Sequence, residues 1–174
     1  DGAALADTLG KIAGVCKHQG AHLLAAKLYS QLGERDKAMK ALFRSGDVRR
    51  IYEYANNCGI AELRVRAANY FQTLDWRENE ELAPMIVEFY RKARAWDQLA
   101  TFYETCAQLE VDEYQDYEKG LVALREAARA VSKIRAGGSG DEARAARAAA
   151  LSQRVRLVEQ MVRARRAAQG DPQE

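Results

Sequence analysis

Four glycines spaced thirteen residues apart constrain the first sixty residues of this chain more than any other feature. Gly20, Gly33, Gly46 and Gly59 each close a block in which apolar or small residues recur three and four positions apart. That recurrence is typical of one face of an α-helix. Glycine at the end of a helix adopts the left-handed backbone angle that other residues resist. We therefore predict four short helices, with Asp47 as the N-cap of the fourth.

Short helices of this kind need neighbours. A helix of about three turns is marginal in isolation, so its apolar face must pack on the helices before and after it. Successive helices that pack in this way form hairpins stacked into a solenoid. The hairpin period here is 26 residues, whereas a regular tetratricopeptide repeat has about 34. The sequence therefore predicts an all-α, tetratricopeptide-like solenoid of helical hairpins.

The later helices are longer. We predict them at the following approximate positions: Ala61–Leu74, Glu81–Ala93, Trp96–Leu109, Asp112–Ile134 and Glu142–Ala168. Pro84 falls in the first turn of the second of these, where its missing N–H group costs least. Trp76 and Trp96 lie at helix boundaries, and we interpret both as packing anchors between helical pairs.

The last two predicted helices carry matching apolar stripes. The stripes consist of Leu121, Leu124, Ala128 and Val131, and of Ala148, Leu151, Val155, Val158 and Val162. Steps of three and four residues are typical of the seam between paired helices. A short glycine-rich turn at 137–140 joins them, so we expect an antiparallel pair. The expected organisation is stacked hairpins over 1–111, a long helical hairpin over 112–168 and a tail over 169–174.

Composition and charge exclude several classes of protein. The net charge is only +2, which argues against nucleic-acid binding by the whole chain. No apolar run of about eighteen residues is present to span a membrane, and nothing resembles a signal peptide. Because the chain begins at Asp1 rather than at Met, we expect it to be a piece of a longer protein. The scattered Cys16, Cys58 and Cys106 are expected to be reduced, buried thiols.

Two clusters could in principle carry chemistry. Cys16, His18 and His22 lie close together, but a structural zinc site needs four ligands, so a helix end with two polar histidines is the better interpretation. The acidic run over residues 110–118 lacks the glycine of a calcium loop and is better explained as complementing a helix dipole. Phosphate-binding loops and nucleophile elbows are also missing. We expect no catalytic residue, no metal and no cofactor.

Six residues are candidate contacts for a protein partner. Tyr114 and Tyr117 interleave with the acidic run; helical spacing favours core packing for them, but aromatic residues are also enriched in binding hot spots. The last helix is basic, and its Arg154, Arg163, Arg165 and Arg166 could meet an acidic protein surface, anionic lipid or nucleic acid. A solvated face or a protein partner is favoured, because no aromatic residues for base stacking lie between the arginines.

Several short runs, in a fixed order and spacing, resemble one known family. The runs are Cys16–Gly20, Ala25–Tyr29, Lys37–Met39, Ser45–Asp47, Ala67–Tyr70, Leu74–Arg77, Cys106–Gln108 and Asp112–Gln115. Together they resemble the C-terminal tetratricopeptide-like region of the intraflagellar transport protein 140 family. The resemblance covers roughly residues 10 to 134, and the last helix more loosely.

The resemblance implies a non-catalytic scaffold. Members of this family are core subunits of intraflagellar transport complex A, support retrograde transport and help membrane proteins enter cilia. The implied partners are other complex A subunits and, indirectly, the retrograde dynein motor and membrane cargo adaptors. The implied locations are the cilium or flagellum, the basal body and the cytoplasm. Two alternatives remain open: a trafficking solenoid of the vesicle-coat type, and an RNA-binding helical array that uses the basic last helix.

Overall fold

A computed structural model describes residues 2–135 and 140–170, and these fold entirely into α-helices and the turns between them. The helices are α1 Gly2–His18, α2 His22–Gln31, α3 Arg35–Ser45, α4 Val48–Cys58, α5 Ala61–Gln72, α6 Leu82–Ala93, α7 Trp96–Asp112, α8 Tyr117–Ser132 and α9 Asp141–Ala168. They pack as sequential hairpins and end in a long final helix, so the predicted all-α fold is confirmed.

The chain divides between Ala93 and Arg94 into two compact units. Unit 1 contains α1 to α6, and unit 2 contains α7 to α9. The division expected at residues 111 and 112 stays a prediction. The predicted glycine turn lies, apart from Gly140, outside the described residues.

The glycines that recur every thirteen residues in unit 1 follow the ends of helices, as predicted. Gly20, Gly33, Gly46 and Gly59 have φ angles of 79°, 73°, 70° and 68°, the region that glycine enters without a side-chain penalty. After Gly46, the Asp47 carboxylate accepts a hydrogen bond of 3.0 Å from the backbone N–H of Arg50 and caps α4. The turns are therefore stabilised by local features: the backbone angles of glycine and a capping hydrogen bond.

Within unit 1, side chains of α3 and α4 contact not only the neighbouring helices but also the helix after the next. Phe43 of α3 stacks on Tyr70 of α5, with ring centroids 4.7 Å apart. Tyr52 of α4 stacks on Phe89 of α6 at 4.9 Å, and its hydroxyl group donates a 2.8 Å hydrogen bond to Glu88. Contacts between alternate helices stack the hairpins in series, as a solenoid requires.

Equivalent repeat positions differ in exposure between α1 and the helices that follow. Ala25, Ala38 and Ile51 lie at successive thirteen-residue steps from Ile12, and all three are fully buried. Ile12 itself is 44% exposed, and Leu5 and Val15 on the same helix are 61% and 53% exposed. This repeat position is therefore buried in α2, α3 and α4, each of which follows another described helix.

Unit 2 is a bundle in which α8 packs against both α7 and α9. Gly120 of α8 lies so close to α7 that a Cβ atom on it would come within 2.5 Å of the Val111 Cγ2 atom. The α8–α9 pair is antiparallel, as predicted: Glu118 pairs with Arg166, whereas seven residues further along α8, Arg125 pairs with Glu159.

The predicted start of α8 at Asp112 is wrong. Helix α7 continues to Asp112 and passes the predicted end at Leu109. The next helix begins at Tyr117, because the carboxylate of Asp116 accepts a 3.0 Å hydrogen bond from the backbone N–H of Lys119 and acts as the N-cap. Both aspartates are suitable caps, and the helix uses the later one.

The predicted seam of α9 is correct except at its first member. Leu151, Val158 and Val162 are buried, and Val155 is half-buried. Ala148, however, is exposed, and the stripe continues towards the N-terminus through Arg147, whose side chain is only 26% exposed. A one-residue change rotates a position by about 100° around the helix, which carries Ala148 out of the interface.

The remaining sequence predictions concern tryptophan and cysteine. Both tryptophans are half-buried; the Lys133 ammonium group lies 4.7 Å from the Trp96 ring centroid and joins the end of α8 to the start of α7. Cys16 is buried as expected, but Cys58 and Cys106 are only half-buried, so the burial prediction is wrong for those two. All three thiols are free.

Candidate protein-interaction surface

A sharp turn between α7 and α8 forms one side of the candidate site. The backbone N–H of Asp116 donates a 2.8 Å hydrogen bond to the carbonyl oxygen of Glu110, and Gln115 has a positive φ of 53°, which is uncommon for a residue other than glycine. The backbone N–H of Lys119, and then its ammonium group, hold the pKa of the Asp116 carboxyl group below its usual value. The turn is therefore stabilised by its own polar groups.

Two arginines at the end of α9 tie that helix to the turn. Arg166 donates hydrogen bonds of 3.0 and 2.8 Å to the same carboxylate oxygen of Glu118. Arg165 donates to the backbone carbonyl oxygen of Gln115, and its guanidinium carbon lies 5.5 Å from the ring centroid of Tyr117. A cation over an aromatic face gains electrostatic energy from the ring quadrupole. Residues about 50 positions apart are thus held together by charge and by ring contact.

Between the turn and α9 lies an open cleft of about 390 Å³. Val162 lies at its apolar floor, and the residues just described line its polar walls. Tyr114 stands at the rim with 61% of its surface exposed, and its hydroxyl group has no partner among the described residues. We call this feature the Tyr–Arg cleft, defined by Tyr114, Tyr117, Arg165 and Arg166.

The structure thus brings together four of the six residues predicted as partner contacts. The other two are on α9 but outside the cleft. Arg154 lies eleven residues before Arg165, about 16 Å along a helix, and Arg163 lies on a different side of α9 from Arg165. Both are exposed, and neither forms an ion pair with a described residue.

The preference for core packing at the two tyrosines does not match their positions. Tyr114 is among the most exposed large residues in the described chain, and Tyr117 is half-buried beneath Arg165. Helical spacing predicted burial, but Tyr114 lies in the turn rather than on a helix. A role of either residue in binding a partner stays a prediction.

One important polar residue was not identified from the sequence. Arg147 donates hydrogen bonds to Glu104 at 2.8 Å, to Asp97 at 2.7 Å and to Thr101 at 2.9 Å, and so ties α9 to α7. Its three partners are spaced four and three residues apart on one face of α7. That spacing, together with the step of four residues from Arg147 to Leu151, is a signal that could have revealed the contact.

Other parts of the described chain offer little chemistry. Among the described residues, no group of three or more His, Cys, Asp and Glu side chains could hold a metal ion. Burial, and then the nearby Glu110 carboxylate, raise the pKa of the Cys106 thiol to about 11, so that thiol is a poor nucleophile at neutral pH. The described helices include none that is both long and apolar enough to cross a bilayer.

Comparison with known families covers nearly the whole chain. Residues 2–89 match the family described as the tetratricopeptide-repeat domain of intraflagellar transport proteins 140 and 172. Residues 97–174 match the family described as the C-terminal tetratricopeptide-repeat domain of intraflagellar transport protein 140. Both descriptions agree with the sequential helical hairpins. The two matched ranges meet close to the division between units 1 and 2. The chain therefore belongs to the intraflagellar transport protein 140 family of tetratricopeptide-repeat proteins, scaffold subunits of intraflagellar transport complex A.

Proposed function

We propose that this segment is a non-catalytic scaffold that holds another complex A subunit at the Tyr–Arg cleft. Through that contact it supports retrograde transport and the entry of membrane proteins into cilia, and it acts in the cilium, the basal body and the cytoplasm. The dynein motor and membrane cargo adaptors are reached indirectly, through the assembled complex. Family membership supports the setting, and the geometry of the cleft supports the contact.

The composition of the cleft favours a protein partner. Tyrosine and arginine are enriched at the centres of protein interfaces, where a large rigid side chain or a planar cation anchors the contact. Tyr114 is exposed and, among the described residues, its hydroxyl group is unpartnered. A volume of about 390 Å³ would admit one or two side chains of a partner, whereas a cofactor site is usually more enclosed.

The cleft is also largely pre-formed. Ion pairs and ring contacts of Arg165 and Arg166 already hold α9 against the turn. A partner would therefore bind without ordering these side chains first, which lowers the entropic cost of association. This pairing of Arg165 and Arg166 with the turn is the observation on which the proposal mainly depends.

The two alternatives have less support. A vesicle-coat role rests only on helical architecture, which many unrelated functions share. RNA binding uses several exposed aromatic faces beside free arginines; in the cleft Arg165 covers Tyr117 and Arg166 is paired with Glu118, which leaves Tyr114 as its exposed ring. Binding of a fluorescent single-stranded RNA with a steep salt dependence would favour the RNA alternative.

The test is a Tyr114→Ala variant of the intact protein, assembled with the other complex A subunits. Loss of an anchor residue at the centre of an interface commonly costs about 2 kcal/mol or more, so we expect binding at least about tenfold weaker. Val122→Ala is the matched control, because Val122 is also 61% exposed but lies on α8 outside the cleft. Thermal melts should be unchanged for both variants.

A cellular readout completes the test. Cells that express only the Tyr114→Ala variant should show slower retrograde particles and less membrane protein in the cilium, whereas the Val122→Ala control should behave as wild type. Normal complex assembly by the Tyr114→Ala variant, at wild-type affinity, would remove the cleft as the contact.

A further inference from the structure

Helix α9 carries a second apolar stripe beside the one that α8 covers. The members of this open stripe are Ala150, Arg154, Leu157, Met161 and Ala164. They step by four, three, four and three residues, and all are exposed. Leu157 and Met161, its two large apolar members, are 53% and 38% exposed.

The first four members of the open stripe each come one residue before a position that is buried or half-buried. Leu157 precedes the buried Val158, and Met161 precedes the buried Val162. One residue corresponds to about 100° of rotation, so the open stripe faces sideways from the covered one over about 21 Å of helix. A surface helix needs one apolar face. A helix with two such faces is suited to contact helices on both.

The spacing of the open stripe favours an α-helix as its occupant. Alternation of three and four residues is the pattern by which one helix packs its side chains into the surface of another. Ala150 and Ala164, at the two ends, leave room for a close approach on either side of the larger Leu157 and Met161. An amphipathic helix with a matching apolar stripe fits this surface.

Arg154 determines the chemistry of the occupant. It is the single charged member of the stripe and the second of its five residues, and no described carboxylate pairs with it. A guanidinium group covered by a partner without a counter-ion would carry a large desolvation cost, whereas a carboxylate can pair with it through two hydrogen bonds. The covering helix must therefore place an Asp or a Glu within its own apolar stripe, opposite Arg154.

A second copy of this chain does not meet that requirement. The open stripe contains no carboxylate of its own, so two copies packed stripe to stripe would leave both arginines unpaired. We propose that the open stripe of α9 binds an amphipathic helix of another complex A subunit, whose apolar face contains one carboxylate that pairs with Arg154. This inference deepens the proposed scaffold function and rests on it.

Photo-crosslinking in the intact complex tests the proposal directly. A benzophenone amino acid replaces Leu157 in the intact protein, complex A is purified and irradiated, and the crosslinked peptide is identified by mass spectrometry. We expect a peptide from another subunit with apolar residues three and four positions apart and an Asp or Glu among them. The same probe at Val122, on the solvent face of α8, is the control and should not capture that peptide.

Substitutions provide a second readout. The double variant Leu157→Glu and Met161→Glu should bind the captured subunit at least tenfold more weakly and retain its thermal melt, since both residues are exposed. Arg154→Glu should weaken binding similarly, and replacing the partner's carboxylate by arginine should restore it. Restoration by this charge exchange is not expected from a purely structural role of Arg154.

The outcomes separate this inference from the scaffold proposal. If Tyr114→Ala weakens assembly but the open-stripe variants do not, and the Leu157 probe captures no helix, the cleft contact stands and the helix-binding inference is wrong. If the captured peptide is this chain itself, or has no carboxylate in its apolar stripe, the inference is wrong as well. If neither set of variants affects assembly, both proposals fail.

Discussion

Units 1 and 2 use the same secondary structure but hold their helices in different ways. Unit 1 consists mainly of helices of 10 to 12 residues, with left-handed glycines at four of its turns and stacked aromatic rings between alternate helices. Unit 2 has three helices of 17, 16 and 28 residues. Its longest helix buries only Leu151, Val158 and Val162.

The two units differ in how much of each helix is covered by neighbouring helices. Short helices in unit 1 place much of their apolar surface in the core. Helix α9 is instead held at intervals by ion pairs: Arg147 pairs with Glu104 of α7, and Glu159 and Arg166 pair with Arg125 and Glu118 of α8. Those pairs leave whole faces of the helix uncovered, including the open stripe. The exposed large apolar residues of unit 1 lie on α1 and α2, whereas those of unit 2 include two on one face of α9.

Removing a large core side chain from each unit tests this difference in packing most strongly. Phe71 of α5 is fully buried, so Phe71→Ala should lower the free energy of unfolding by about 3–5 kcal/mol. Leu151→Ala on α9 should cost about 2–3 kcal/mol, because its half-exposed neighbours can relax into the space. Urea unfolding measures both changes. Equal losses would mean that α9 is as deeply packed as α5.

Leu28 and Leu124 provide a further check on the same scale. Leu28 of α2 follows the buried Ala25 by three residues but is only half-buried, whereas Leu124 of the predicted α8 stripe is only 1% exposed. Leu124→Ala should therefore be the more destabilising of the two substitutions.

A pair of glycine substitutions tests how closely helices approach in each unit. Gly120→Ala would force its Cβ atom against the stiff, branched Val111 side chain and should destabilise by about 1–3 kcal/mol. Gly14, also inside a helix, has nothing within 4 Å of its added Cβ atom. Gly14→Ala should therefore raise stability by up to about 1 kcal/mol. Thermal and urea unfolding of both variants gives the comparison, and stabilisation by Gly120→Ala would show that Val111 can move.

Removing a charge tests whether ion pairs hold α9. Arg147→Met keeps an unbranched apolar stem but removes the guanidinium group and its contacts with Asp97, Thr101 and Glu104, so we expect a loss of about 1–2 kcal/mol. The loss should shrink in 1 M salt. The control is Arg49→Met in unit 1, since Arg49 is 87% exposed and its one ion-pair partner among the described residues is Glu53; its effect should be below about 0.5 kcal/mol. Similar losses for the two variants would contradict the role assigned to Arg147.

The smallest expected effect concerns the Cys106 thiol in unit 2. Because its pKa is about 11, its alkylation by iodoacetamide should quicken about tenfold per pH unit up to pH 10, without the plateau that an ordinary thiol shows above about 8.5. The folded pKa lies above the reference value of 9.0. The contribution of this group to stability is therefore complete below pH 9 and is lost as the pH rises towards 11. A plateau near pH 8.5, measured by mass spectrometry of the Cys106 peptide, would mean that water reaches the thiol.

The structure confirms the predictions that depend on residues only a few positions apart. The glycine turns follow from backbone angles of single residues, and Asp47 caps α4 through a neighbour three positions away. Sequence reasoning failed where two local solutions are nearly equal. Asp112 and Asp116 are both suitable N-caps, and the choice between them depends on how far α7 continues.

The seam of α9 shows the same limit. Ala148 and Arg147 both fit a pattern of three- and four-residue steps, and an apolar residue is the natural choice from sequence alone. The acidic face of α7 reverses that choice, because Arg147 finds carboxylates at Asp97 and Glu104. No local pattern contains this information, since the partners are more than forty residues away.

Short-range periodicity and the conformational freedom of glycine are enough to predict that this chain is helical and where most of its helices begin and end, and the ordered short runs are enough to recognise the family it resembles. The cleft shared by Tyr114, Tyr117, Arg165 and Arg166 and the uncovered face of α9 emerge only when the chain is folded. Those features arise when residues about 50 positions apart meet, and the energy of such meetings depends on burial and on charge partners that the whole fold supplies.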